Sequence, residues 1–267
     1  MWDNQTFEEV ANFLNVVHRY ISLYLMPTSE LSKRIQSFWK FLVKLLTRNW
    51  RSLVLLFLGV YVPVQIFGEL AEEIWEKQGG FPWDVPILLA IHSTTSPQLD
   101  AFAINLTKLG AYWGVFPLSV VIVLILAFRR QWRFLIYALI TFLGSIIINR
   151  TAKLTFQRVR PSLWESPAPE LDYAFPSGHA MGSVTFAIVL IILTWNTRWR
   201  WVTMVGGIVF AIAISWTRLY LGVHYPSDII AGWMASIAWT VGVCLVIRPH
   251  RSQRRLEKEE KAATETS

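Results

Sequence analysis

Two histidines stand where an imidazole can act on an anion. His179 closes the run Phe175-Pro176-Ser177-Gly178-His179, and His224 lies in the stretch from Thr217 to Asp228, each beside a long apolar segment. Lys153 and Arg160-Pro161 lie upstream, and Arg218 shortly precedes His224. Two imidazoles, three fixed cations, a small-residue turn and one carboxylate are the parts needed to move a phosphoryl group without a metal. Arg presents a planar fork of donors to nonbridging oxygens and Lys a compact charge, which makes Lys153, Arg160 and Arg218 the phosphate-binding candidates. Cations beside apolar runs are costly unless they meet an anion, so three of them on different runs point to one shared ligand. Snorkelling to lipid headgroups is the bland alternative, and Arg150 and Arg158 are assigned to it.

Pro176-Ser177-Gly178-His179 comes directly before an apolar run. Pro suits a first helical turn, Ser can cap, and Gly lets backbone approach a ligand, so the helix start can face an anion with the Ser177 hydroxyl and the Gly178 amide. The same string also begins many ordinary helices. His224 and Asp228 are four apart around Pro226. A carboxylate accepting a hydrogen bond from one ring nitrogen would fix the tautomer and free the other nitrogen to attack phosphorus. His179 could then protonate the leaving oxygen and later deprotonate water.

These residues need a frame, and the composition supplies one. The chain has 267 residues, is 54% hydrophobic and holds 14 tryptophans, above the apolar content of an ordinary soluble domain. Crossing a ~30 Å hydrocarbon core takes about 20 mostly apolar residues, fewer with Trp, Lys and Arg anchors at the ends. Six runs are expected to span: Leu53–Phe67, Trp113–Phe128, Phe134–Ile148, Ala180–Trp195, Trp201–Trp216 and Ile229–Ile247. The net charge of +7 does not mark a nucleic-acid partner. With the N-terminus inside, 18 of the 25 Lys and Arg residues fall on the cytoplasmic side, a positive-inside bias.

Residues 1–50 read as a cytoplasmic segment with a basic amphipathic helix over 30–50, lying on the inner leaflet or packed on the bundle. Residues 51–248 read as one membrane-embedded domain and 249–267 as a charged cytoplasmic tail. The segment from Glu69 to Asp100 reads as an outer loop with some helix, its acids as a solvated face rather than metal ligands, and residues 99–112 can extend the second span. On that extension Lys108 reads as snorkelling to headgroups. The single cysteine, Cys244, falls in the last run and reads as packing. No signal peptide is evident.

Lys153, six residues, then Arg160-Pro161; Pro176-Ser177-Gly178-His179; then Arg218, five residues, His224, three residues, Asp228: in order and spacing this resembles the three-part signature of the type 2 phosphatidic acid phosphatase superfamily. Its motifs cover 153–228, and the span layout extends the resemblance to roughly 53–247. The resemblance implies an all-α, six-span transmembrane helical bundle shared with vanadium haloperoxidases, and a metal-independent phosphatase working through a phosphohistidine. It implies phosphate binding by Lys153, Arg160, Ser177, Gly178 and Arg218, His224 as nucleophile, Asp228 as its orienting partner and His179 as general acid. Thr217 stands where the family usually has Ser.

The expected substrate is a membrane lipid phosphate or diphosphate such as phosphatidate, phosphatidylglycerophosphate, a sphingoid phosphate or a polyprenyl diphosphate, with no cofactor and no metal. The same intermediate would serve a lipid phosphotransferase, and sequence leaves hydrolysis and transfer open, as it does the oligomeric state. Six spans argue against a soluble haloperoxidase. A transporter would explain the spans but not this spacing of Lys, Arg, Ser-Gly-His and His-Asp, and no inverted hydropathy repeat is present.

Overall fold

Long apolar runs close their backbone hydrogen bonds most economically as helices, and the chain is built from them. The computed structural model describes residue 16, residues 33–40, residue 50 and residues 52–77, 80–111 and 113–250. The chain divides into two units, Met1–Leu53 and Val54–Ser267. In the first, residues 33–40 are helical and exposed, and the rest of the expected amphipathic helix lies outside the described residues. The tail beyond residue 250 also lies outside them.

A π-helical turn, Phe57–Tyr61, runs into α1 (Val62–Lys77); α2 (Asp84–His92) and α3 (Pro97–Leu109) follow. Then come α4 (Val115–Phe128), α5 (Trp132–Phe156), α6 (Gly178–Thr194), α7 (Arg200–Tyr220) and α8 (Pro226–Ile247). Among the described residues there is no strand. Four helices are long and apolar enough to cross a membrane: Ser52–Glu76, Trp132–Phe156, Arg200–Tyr220 and Pro226–Ile247. Two shorter apolar helices, Val115–Phe128 and Gly178–Thr194, occupy the second and fourth of the six expected places.

α6 is the centre of the bundle, packed on α5, α7 and α8, while α8 also meets α1 and α5. Polarity is distributed as in a protein dissolved in lipid. Phe116, Leu124, Leu143, Ile147, Val205 and Val209 are exposed, whereas Thr141, Ser145, Ser183, Thr185, Ser236 and Thr240 are buried between helices. Ser145 and Thr185 hydroxyls pair at 3.0 Å across α5 and α6, and Ser236 donates to the Met181 carbonyl at 2.8 Å across α8 and α6. A Cβ at Gly232 would stand 2.9 Å from the Ser177 carbonyl, so glycine lets α8 approach the start of α6.

Three expectations are corrected. The first apolar helix does not stop near Phe67 but runs on to Lys77, so the helix expected in part of the outer segment is continuous with the span and carries Glu69, Glu72, Glu73 and Glu76. Residues 99–112 do not extend the second span: Ser96 caps α3 by accepting from Leu99 N, Pro97 opens its first turn, and the helix ends at Gly110, before α4 begins. Nor are all the acids of the outer segment solvated, since Asp84 is 1% exposed. Lys108 bonds Asn105 at 3.2 Å on the exposed face of α3.

Candidate active site

The three motif segments converge at one end of the bundle. Lys153 lies in the last turn of α5, where Gln157 in the left-handed conformation ends the helix and releases the chain into the 157–177 loop carrying Arg158 and Arg160. Ser177 caps α6, accepting from Ala180 N, so Pro176 lies just outside the helix. Arg218 is in the last turn of α7, which closes in a turn where Gly222 takes φ +68 before His224. Pro226 begins α8, and Asp228 accepts from Tyr225 N at 2.8 Å to fix that start. Ser177 N donates to the Asp228 carbonyl at 3.1 Å, and Asn149 Nδ2 to the Pro176 carbonyl at 3.1 Å, so the segments are tied backbone to backbone as well as through side chains.

Arg160 is the hub. Its Nη1 reaches His224 Nε2 at 3.1 Å and the Val223 carbonyl at 2.7 Å, while Nε donates to the Asp172 carbonyl at 2.7 Å. Its Nη2 donates to Glu170 Oε2 at 2.6 Å and to the Asp172 carboxylate. Arg218, 1% exposed, donates from Nη1 to Thr107 Oγ1 at 2.8 Å and from Nη2 to Glu170 Oε1, while its Nε has no partner among the described residues. Lys153 Nζ donates to Asp172 Oδ2 at 2.6 Å and to the Tyr173 carbonyl. His179 Nδ1 stands 3.9 Å from Glu170 Oε1. All the sequence-chosen residues are therefore in one place: Lys153, Arg160, Arg218, His179 and His224 share charged neighbours, and Ser177, Gly178 and Asp228 lie on the two helix starts beneath them.

Burial comes first in depressing the His224 pKa, followed by Arg160 and Arg218, which favours the neutral ring. Burial alone would raise the carboxylates, but Arg218 foremost holds Glu170 below the usual range, and Lys153 with Arg160 holds Asp172 down to about 2.

Sequence reasoning missed four residues and misjudged two details. Glu170, Asp172, Thr107 and Asp84 were not among the candidates. Glu170 and Asp172 sit in the same low-hydropathy loop as Arg160, and that proximity to three cations was the available signal. Arg158 is not a headgroup-facing cation: it is 4% exposed, donating to Asp228 Oδ1, to Ser227 Oγ at 2.7 Å and to Asp84 Oδ2 at 2.8 Å. Arg150 is exposed. His224 Nδ1 lies 3.5 Å from Asp228 Oδ2 without forming the expected hydrogen bond.

A cavity of about 820 Å³ opens from this cluster. Lys153, Glu170, Asp172 and His179 line its polar end, and Phe116, Val120, Leu124, Leu139, Leu143 and Ile146 of α4 and α5 line the rest. A charged end joined to an apolar trough suits a molecule with an anionic head and a hydrocarbon body.

Comparison with known proteins adds to the geometry. A family profile, the PAP2 superfamily, matches residues 115–252. Over 215 residues the chain is 29% identical to an undecaprenyl-diphosphatase of Sulfolobus acidocaldarius, covering 79% of this chain and 96% of that protein. It is 30% identical over 191 residues to a lipid A 4'-phosphatase of Bacteroides thetaiotaomicron, covering 66% and 81%. Its fold matches the crystal structure of a transmembrane PAP2 type phosphatidylglycerolphosphate phosphatase from Bacillus subtilis with a TM-score of 0.59 and 27% identity, over 69% of this chain and 94% of that one.

Proposed function

This chain belongs to the PAP2 superfamily, and from that membership we propose that it hydrolyses the phosphate ester or diphosphate of a membrane lipid through a phosphohistidine on His224. It is an integral membrane lipid phosphatase. The observation that carries the finer reading is Arg160 Nη1 at 3.1 Å from the neutral His224 Nε2, inside a cluster with Lys153, Arg218 and His179 that opens into an apolar trough. The relatives act, by their names, on a polyprenyl diphosphate, a glycerophospholipid phosphate and lipid A, all anionic heads on hydrocarbon.

Lys153, Arg160 and Arg218 hold the nonbridging oxygens, aided by the Ser177 and Gly178 end of α6, and spread the charge of the transition state. The Nε2 lone pair of His224 forms a bond to phosphorus as the bond to the lipid oxygen breaks. That oxygen keeps the electron pair and takes a proton from His179; burial and then Arg218 hold the pKa of this ring down to about 3 in the free site, so the proton it gives is one taken up with the anionic substrate bound. Water then attacks phosphorus, giving its proton to His179, and the N–P electron pair returns to His224. Asp228 faces the developing positive charge on the ring. The three cations do what a divalent ion would otherwise do, so the reading is metal-independent. The site faces the extracytoplasmic side of the cell membrane, with both termini inside.

The test is to quench the purified protein in alkaline detergent during turnover of a radiolabelled lipid phosphate. Base-stable, acid-labile label on His224, with inorganic phosphate released in EDTA, supports the reading. Label on His179, or activity that EDTA abolishes and one divalent ion restores, refutes it. Counting inorganic phosphate against phosphorylated alcohol separates hydrolysis from transfer.

A further inference from the structure

Behind the reacting histidine lies a buried charge cluster, Arg158, Asp84 and Asp228, that does not line the cavity. Arg158, Asp84 and Asp228 have side chains 2%, 1% and 0% exposed. Buried ion pairs are a poor route to stability, because desolvation costs what attraction returns. Their position asks for another reason.

The cluster is fully bonded. Arg158 Nη1 donates to Asp228 Oδ1 and to Ser227 Oγ at 2.7 Å; its Nη2 donates to Asp84 Oδ2 at 2.8 Å. Asp84 also accepts from Ser227 N at 3.0 Å, Ser227 Oγ at 2.6 Å and Phe81 N at 3.2 Å. Arg158 further lies 4.3 Å from the centroid of the Tyr225 ring. With Oδ1 held by Arg158 and Oδ2 by Tyr225 N, the Asp228 carboxylate cannot rotate, and Oδ2 is the atom 3.5 Å from His224 Nδ1. Two carboxylates share one guanidinium, so their formal charge exceeds its own by one; burial pushes the Asp228 pKa up and Arg158 opposes it.

We propose that Asp84 and Arg158 are positioning residues for the reaction, acting through Asp228: they fix its carboxylate toward His224 Nδ1 and keep a residual negative charge there. This rests on His224 being the nucleophile. When Nε2 bonds phosphorus the imidazole becomes cationic, and the unpaired negative charge of the cluster stabilises that state and not the resting one. Such differential stabilisation raises kcat without tightening substrate binding.

Asp84→Asn keeps the shape and removes the charge. With a short-chain phosphatidate in detergent micelles, kcat is expected to fall about 10–100-fold, by analogy with the cost of removing outer-shell partners of metal-bound histidines, with KM within about twofold. Asp84→Asn combined with Asp228→Asn should be no worse than Asp228→Asn alone, because both act through one carboxylate. Arg158→Lys should regain part of the kcat lost in Arg158→Gln. Should Asp84→Asn not fold, Ser227→Ala, which removes the hydroxyl bridging Arg158 and Asp84, should show the same kcat-only loss at a few-fold. Wild-type kcat in the folded variant, a loss carried by KM, or an additive double variant would overturn the proposal. His224→Ala separates the two levels: if it turns over normally the nucleophile assignment fails, and if it is dead while Asp84→Asn is normal, only this inference fails.

Discussion

Glu170 occupies the space between the two arginines that should receive phosphate, and replacing it with Gln measures how strongly the chain competes with its own ligand. Its carboxylate takes Nη2 of Arg218 and, at 2.6 Å, Nη2 of Arg160, with the side chain 28% exposed. A hydrogen bond to a charged group is worth about 1.5–3 kcal/mol. Gln offers one amide oxygen, a weaker acceptor, and turns a donor NH₂ toward the other arginine, so at least one contact's worth, about 1.5–3 kcal/mol, is lost on substitution, equal to about 10–100-fold. Partial exposure screens the charges and moves the expectation to the lower end, about tenfold. Because the arginines must leave Glu170 before they take an anion, that factor should appear as tighter binding. The assay is competitive inhibition of Glu170→Gln by orthovanadate and by inorganic phosphate. An inhibition constant about tenfold lower for both is expected. An unchanged or higher constant would refute the competition and mean that Glu170 holds the two arginines in place for the ligand.

Three further outcomes are expected. His179→Ala should recover activity on an aryl phosphate or a diphosphate relative to an alkyl phosphate, because a general acid's ~10²–10⁴-fold contribution shrinks as the leaving group improves, whereas His224→Ala should not recover. Burial, Arg160 and Arg218 lower the His224 pKa, so the neutral ring persists as pH falls; the His224 acid limb of kcat/KM should lie below pH 6.5, and a limb above it would contradict the site's electrostatics. In a Cys244→Ala background, an impermeant maleimide should modify Ser162→Cys in intact cells and Asn196→Cys only after permeabilisation; the reverse pattern would invert the topology.

What the sequence made legible was whatever local pattern encodes. Apolar runs located α4 to α8, and residue spacing brought Lys153, Arg160, His179, Arg218, His224 and Asp228 together before any coordinates. The errors came from a physical rule applied to the wrong partner. Buried cations do need an anion, and the anion was assigned to a ligand, whereas Glu170 and Asp172 of the same loop supply it in the protein itself. Arg158 and Asp84 are far apart in the chain, and nothing in the stretch around Asp84 distinguishes it from the exposed Glu69, Glu72 and Glu76. Only the tertiary closure of α2 against α8 buries it. Helix ends were misplaced for a related reason: Glu residues in the outer part of α1 lowered the hydropathy without ending the helix, since Glu is a good helix former.

The apolar wall of the cavity lies on the same side as the exposed faces of α4 and α5, where Phe116, Val120, Leu124, Leu143 and Ile146 are exposed. A hydrocarbon chain can slide in sideways from the surrounding lipid and never enter water, avoiding about 0.8 kcal/mol for every methylene that would otherwise be withdrawn. Two properties of the reaction follow. The concentration that governs its rate is a mole fraction in the plane of the membrane, so adding inert phospholipid slows turnover even when the substrate in the tube is unchanged. The products also part by phase: the lipid product drifts back into the bilayer and the phosphate escapes to water. They seldom meet again in the pocket, and turnover runs one way without the protein having to oppose its reversal.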